Sequence, residues 1–192
     1  MISFVNVAKQ EFDKLANHYG MIEHSKNDQH IRYENSSVFL TVSYDNGRSF
    51  EISVEIGQKL AGMAPRPFSL AEILRLVGAD EATQVDAFSA LSASSAEKLK
   101  TALKYVEGLT ARYADEFLRN NNSAYLALAN LRERESIAYA IERDLRSARA
   151  RAMIAWKKNN YADFVDAFQP MEAYLSPSET KHLLYAQKKI EK

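Results

Sequence analysis

The sequence predicts an α+β protein: an amino-terminal helix and a small antiparallel three-stranded meander, followed by an all-helical part with one long helix and an antiparallel helical hairpin. Three observations carry this. Phe50, Ile52, Val54 and Ile56 alternate with Glu51, Ser53 and Glu55, the two-residue period of a strand that buries one face. Beyond Pro67 the apolar residues recur every three or four positions, the period of helices. Asn46-Gly47 sits between two alternating runs, a strong short-range hairpin signal, because both central residues of a type I′ turn need positive φ.

Each element has its own signal. Val5, Ala8, Phe12, Leu15 and Tyr19 form one apolar stripe of a first helix, with Gly20 placed to end it. Gln29 to Tyr33 reads as the first strand, Val38 to Tyr44 as a second rich in β-branched residues, and Phe50 to Ile56 as the third. Ser69 and Glu72 have capping-box spacing, with Phe68 and Ile73 as a hydrophobic staple, so a short helix starts there and stops at Gly78. A further helix is expected over Glu81 to Leu91. Ser94 and Glu97 repeat the capping spacing ahead of a stripe running from Leu99 to Phe117, broken at Asn120-Asn121-Asn122.

From Ser123 to Lys158 there is neither Gly nor Pro, and Ala, Leu, Arg and Glu dominate, which predicts one long helix or two collinear ones. Asn159-Asn160 reverses the chain into a helix marked by Tyr161, Phe164, Val165 and Phe168 and interrupted near Pro170. Ser176-Pro177-Ser178-Glu179 then supplies a cap, a first-turn proline and a third-position acid for the last helix. The join between Gly57 and Pro67 divides residues 1–62 from residues 68–192. A sheet with one helix buries too little surface to stand alone, so one cooperative folding unit is expected.

With 192 residues, 46% of them hydrophobic, the chain can bury a sizeable core. Lys plus Arg total 25 and Asp plus Glu total 25, so the overall charge draws it to neither nucleic acid nor an anionic membrane. A pI near 6.9 removes charge repulsion between copies, which leaves a homodimer accessible. There is no Cys, hence no disulfide and no Cys-ligated zinc. No signal peptide and no bilayer-spanning run is read from the sequence, and a cytoplasmic location is expected.

No catalytic, cofactor or metal site is expected. His18, His24, His30 and His182 form no zinc-protease pair or compact ligand cluster, and the scattered glycines build no phosphate loop. Ser94-Ser95 reads as a helix cap rather than a nucleophile, and Glu133 and Glu135, flanked by Arg132 and Arg134, as solvated ion pairs. Two surfaces stand out instead. If helices cover the Ile52 face of the sheet, the other side presents Arg32, Thr41, Ser43, Glu51, Ser53 and Glu55 around Phe39, a polar surface with one aromatic anchor suited to a partner protein. The second is the stretch Arg143 to Lys158, where Arg143, Arg146, Arg149, Arg151, Lys157 and Lys158 face a single acid, Asp144. As an interface it would suit nucleic acid. As a structural element it would pair with the acidic Asp163, Asp166, Glu172 and Glu179 across the reversal, with Trp156, Tyr161, Phe164 and Phe168 packed at the apex.

Two resemblances add to this. Ala152, Ala155-Trp156, Tyr161, Val165 and Phe168 resemble the packing positions of a single tetratricopeptide-type helical hairpin, which implies a helix pair rather than a solenoid. Arg32-Tyr33-Glu34, Val38-Phe39-Leu40 and Tyr44 to Glu51, with Leu175-Ser176-Pro177-Ser178-Glu179, are similar in style to uncharacterised small bacterial proteins of the toxin-immunity type. That likeness implies a protein-binding role, with a toxin as one partner class. The expected function is therefore a small bacterial interaction factor that blocks another protein, immunity or antitoxin-like. The alternative is a nucleic-acid-associated regulator using residues 143–158.

Overall fold

In the computed structural model, which describes residues 3–60, 66–80 and 93–191, the α+β class holds but the sheet has five strands rather than three. All five are antiparallel and follow one another in sequence order: β1 Ile22–Asn27, β2 His30–Glu34, β3 Val38–Tyr44, β4 Ile52–Gln58 and β5 Phe68–Ser69. The three expected strands are β2, β3 and β4. Strand β1 carries no buried residue, and its one large apolar side chain, Ile22, is 73% exposed, so no alternation marks it. Strand β5 is two residues long and sits where the staple position was expected. It joins the sheet from beyond the 62–68 join, with Phe68 opposite Ile56.

The β3–β4 hairpin forms, but not through a type I′ turn. Its connection runs from Asp45 to Glu51, and Gly47 has no positive φ; the positive φ falls on Phe50, at 57°. Asp45 is the cause. Its carboxylate accepts the N–H groups of Gly47 and Arg48, each at 3.1 Å, which satisfies the turn locally and lengthens it. Phe50 is thereby excluded from the strand, which begins at Ile52.

The helices are α1 Phe4–His18, α2 Leu70–Val77, α3 Ala96–Tyr113, α4 Asp115–Leu118, α5 Asn122–Lys157, α6 Tyr161–Phe168 and α7 Pro177–Ile190, with a 3-10 turn over Gln169–Tyr174. Helix α2 has the expected reciprocal capping box, and Gly78 ends it at φ 65°, a conformation most side chains avoid. The cap of α3 is Ser95 rather than Ser94: Ser95 Oγ accepts from Lys98 N at 3.3 Å. The stripe expected to run on to Phe117 stops at Tyr113, and α4 follows after Ala114. The expected helix over Glu81 to Leu91 lies outside the described residues. Helix α5 is a single helix, and α7 begins as expected on a Ser176–Glu179 capping box with Pro177 in the first turn.

Compact contacts divide the chain into Met1–Arg132 and Glu133–Lys192, a division that falls inside α5. In the first unit, one face of the sheet (Ile31, Tyr33, Leu40, Val42, Val54, Ile56) packs with Phe12 and Leu15 of α1, Ile73 and Leu74 of α2, Leu103 and Val106 of α3, and Tyr125 and Leu128 of α5. The Tyr33 hydroxyl, carried into this core, donates to Asp13 at 2.7 Å. Arg132 closes the unit: its guanidinium lies 4.1 Å from the Phe68 ring centroid and donates to Glu72 at 2.6 and 2.9 Å and to the Pro67 carbonyl at 2.8 Å. The expected solvated pairing of Arg132 with its neighbouring glutamates is replaced by this distant partner. The second unit has its own small core, built from Ala148, Ala152 and Ala155 of α5, Phe164, Val165, Ala167 and Phe168 of α6, and Leu183 and Ala186 of α7. Among the described residues, no helix is long and apolar enough to cross a membrane.

Candidate interaction surfaces

The sheet's second face carries the residues the sequence singled out. Arg32, Thr41 and Glu55 lie in one cross-strand row, and Ser43 and Ser53 form the next pair. Glu51 belongs to the same alternation but precedes β4, at the end of the turn. Phe39 is on this face as expected, yet it is not an exposed anchor: it is 1% exposed. Two neighbours bury it. The Arg32 guanidinium stacks 3.8 Å from its ring centroid, and Gly57, directly opposite on β4, offers no side chain, so the tip of the ring fills the space a Cβ there would take.

Arg32 is held in this position by Glu34. The Glu34 carboxylate accepts from Arg32 Nε and from Lys59 Nζ, both at 2.6 Å, with His24 Nδ1 at 3.6 Å. Burial alone would raise the Glu34 carboxyl. The bonds from Lys59 and Arg32 outweigh it and hold the group below the ordinary carboxylate range. What this face offers outward is short polar side chains around a closed Arg32–Phe39 stack, without the aromatic anchor that dominates most protein interfaces.

A different surface has such an anchor. On α5 the positions Arg149, Ala152, Met153, Trp156 and Lys157 follow helical i, i+3, i+4, i+7, i+8 spacing, so they form one wall of a groove about 12 Å long. Phe164 and Phe168 of α6, one turn apart, also line it, and Glu179 and His182 of α7 complete it. The cavity measures about 360 Å³. Trp156 is in ring contact with Phe164 and with His182, each at 4.9 Å between centroids, and Phe164 meets Phe168 edge-on at the same separation. Met153, at the rim, is 57% exposed.

Half of the basic stretch is compensated, though not as the sequence suggested. Arg143 pairs with Asp144 at 2.9 Å, Arg146 with Glu142 one turn back at 3.0 Å, and Arg149 grips Glu179 through two bonds of 2.6 and 3.0 Å. Of the acids beyond the reversal, Glu179 alone reaches α5; Asp163 bonds to Asn160, and Asp166 and Glu172 make no ion pair among the described residues. Arg151 and the lysines Lys157 and Lys158 also make none. Arg143, Arg146 and Arg149 step three apart along one flank of the helix, whereas Arg151 points to the other side.

Glu179 is bound first by Arg149 and then by the Ser176 N–H and hydroxyl, and its pKa falls from the ordinary 4.5 to about 2. A depressed carboxyl stabilises the fold above its unfolded pKa, and that contribution is lost as the pH drops toward the folded value. Acid titration followed by helical circular dichroism is therefore expected to show Glu179→Gln with a flatter limb than wild type between about pH 4.5 and about 2. Identical limbs would contradict the Arg149–Glu179 pairing.

The groove residues Met153 and His182 were not singled out by sequence reasoning. Trp156, Phe164 and Phe168 read from the sequence as the packed apex of a hairpin, and Arg149 and Lys157 as part of the basic stretch; the helical spacing from Arg149 to Lys157 is the signal that joins the two groups. No family model, curated protein or solved structure matches the chain.

Proposed function

We propose that the chain is a protein-interaction factor that holds a segment of a partner protein in the groove between α5, α6 and α7. The observation that carries this reading is the groove itself: an apolar recess in which a half-buried Trp156 is backed by the buried Phe164 and Phe168 and flanked by an exposed Met153. Aromatic side chains in a recess are the usual anchors of binding energy, and methionine adapts its shape to an incoming side chain. Binding without chemistry fits an immunity or antitoxin-like factor of a bacterial cytoplasm, which blocks its partner rather than altering it. Pairing of Arg143, Arg146 and Arg149 with acids supports a protein partner over a nucleic acid, since it leaves fewer free cations to displace counterions.

The test is affinity capture from the native cell with wild type and Met153→Arg in parallel. The variant adds a desolvated charge to the rim without touching the core, and the partner captured by wild type should be lost or weakened by about tenfold or more. Equal recovery by both proteins would overturn the proposal.

A further inference from the structure

Charge and shape together say what kind of segment the groove takes, an inference that rests on the groove being the binding site. Its charged lining residues are Arg149, Lys157 and Glu179. Glu179 is fully engaged: Arg149 donates to both of its oxygens, and the Ser176 N–H donates to Oε2 at 2.8 Å. No carboxylate of the lining is therefore left to receive a cation, whereas the Lys157 ammonium lines the groove and has no ion-pair partner among the described residues. Lys158 and Arg151, also unpaired among the described residues, lie on the opposite side of α5 and leave Lys157 as the one unpaired cation of the lining.

The walls are helical. A recess bounded by two turns of α5 and the first turns of α7, with the largely buried Phe164 and Phe168 one turn apart in its lining, has helical walls of the kind that receive the i, i+3 or i+4, i+7 side chains of an amphipathic helix. We infer that the occupant is an acidic amphipathic helix of the partner protein, lying along α5 with apolar side chains against Trp156, Phe164 and Phe168 and a carboxylate on Lys157 Nζ. Complementary charge at the rim governs partner choice and association rate more than gross affinity, so an acidic flank discriminates against basic segments of equal hydrophobicity.

Trp156 is the only tryptophan in the chain, so its emission reports occupancy directly. The probes are two alanine-based helical peptides with the same leucines at i, i+3 and i+7, one flanked by glutamates and the other by lysines, titrated into the full chain. The glutamate peptide should shift Trp156 emission and bind about tenfold more tightly than the lysine peptide. In Lys157→Glu, a change at a surface position, that preference should disappear or invert. Equal binding of the two peptides would overturn the acidic assignment while leaving the groove as an apolar site. Failure of either peptide to perturb Trp156 would remove both. A wild-type protein that dimerises by light scattering, with concentration-dependent Trp156 emission and no peptide binding, would place a second copy in the groove and overturn the assignment.

Discussion

Replacing Phe39 with alanine is expected to destabilise the sheet-containing unit by about 3–5 kcal/mol, the range for a fully buried aromatic ring. The ring is 1% exposed and is held between the Arg32 guanidinium and the Gly57 backbone, so its removal empties a site that neither neighbour can fill. The reciprocal change gives a sharper test. A Cβ built on Gly57 would lie 2.7 Å from Phe39 Cε1 and closer still to Cζ, so Gly57→Ala must displace a ring whose face Arg32 pins, at about 1–3 kcal/mol. Combining Gly57→Ala with Phe39→Leu should cost less than the sum of the single changes, because the smaller side chain vacates the space the new methyl needs. Urea denaturation of the four proteins measures this. Strict additivity would mean that Phe39 and Gly57 do not touch.

Phe168→Ala is expected to have a comparable effect on the other unit, again about 3–5 kcal/mol. Five of the nine residues in its buried cluster are alanines, so Phe164, Val165, Phe168 and Leu183 are the bulky members, with the partly buried Trp156, Tyr161, Met171 and Leu175 packed against them. A loss of this size rivals the whole stability of a small domain. Trp156 fluorescence should show the transition moving to much lower denaturant than in wild type; an unchanged midpoint would contradict the packing described. The same titration addresses cooperativity. The expectation of a single folding unit predicts that in wild type the Trp156 transition coincides with loss of the sheet signal, and separated transitions would contradict it.

The elements with strong local chemistry were legible in the sequence, and the misses have physical causes. Capping boxes at Ser69–Glu72 and Ser176–Glu179 located two helix starts to the residue, because each rests on side-chain bonds within one turn. The edge strand β1 was invisible because an exposed edge buries nothing and so has no alternation to read. Asn46-Gly47 pointed to a tight turn, but Asp45, one residue earlier, captured the backbone and set a longer one.

The sheet face shows how far pattern alone reaches. Alternation put Arg32, Thr41, Ser53, Glu55 and Phe39 on one side of the sheet correctly, but it could not show that Phe39 is sealed beneath Arg32, which depends on Gly57 facing it across the ladder. At the carboxy-terminal end, pairing of Arg149 with Glu179 spans 30 residues and required the tertiary fold, as did the opening of a groove beside Trp156.

The central claim is that the partner occupies the hairpin groove, and the most direct measurement is site-specific photo-crosslinking in the native cell. A photoreactive phenylalanine analogue is placed at position 153 on the groove rim and, in a separate protein, at position 53 on the open sheet face. The groove reading predicts a discrete adduct from position 153 and none from position 53. An adduct from position 53 with none from position 153 would contradict it and return the binding role to the sheet.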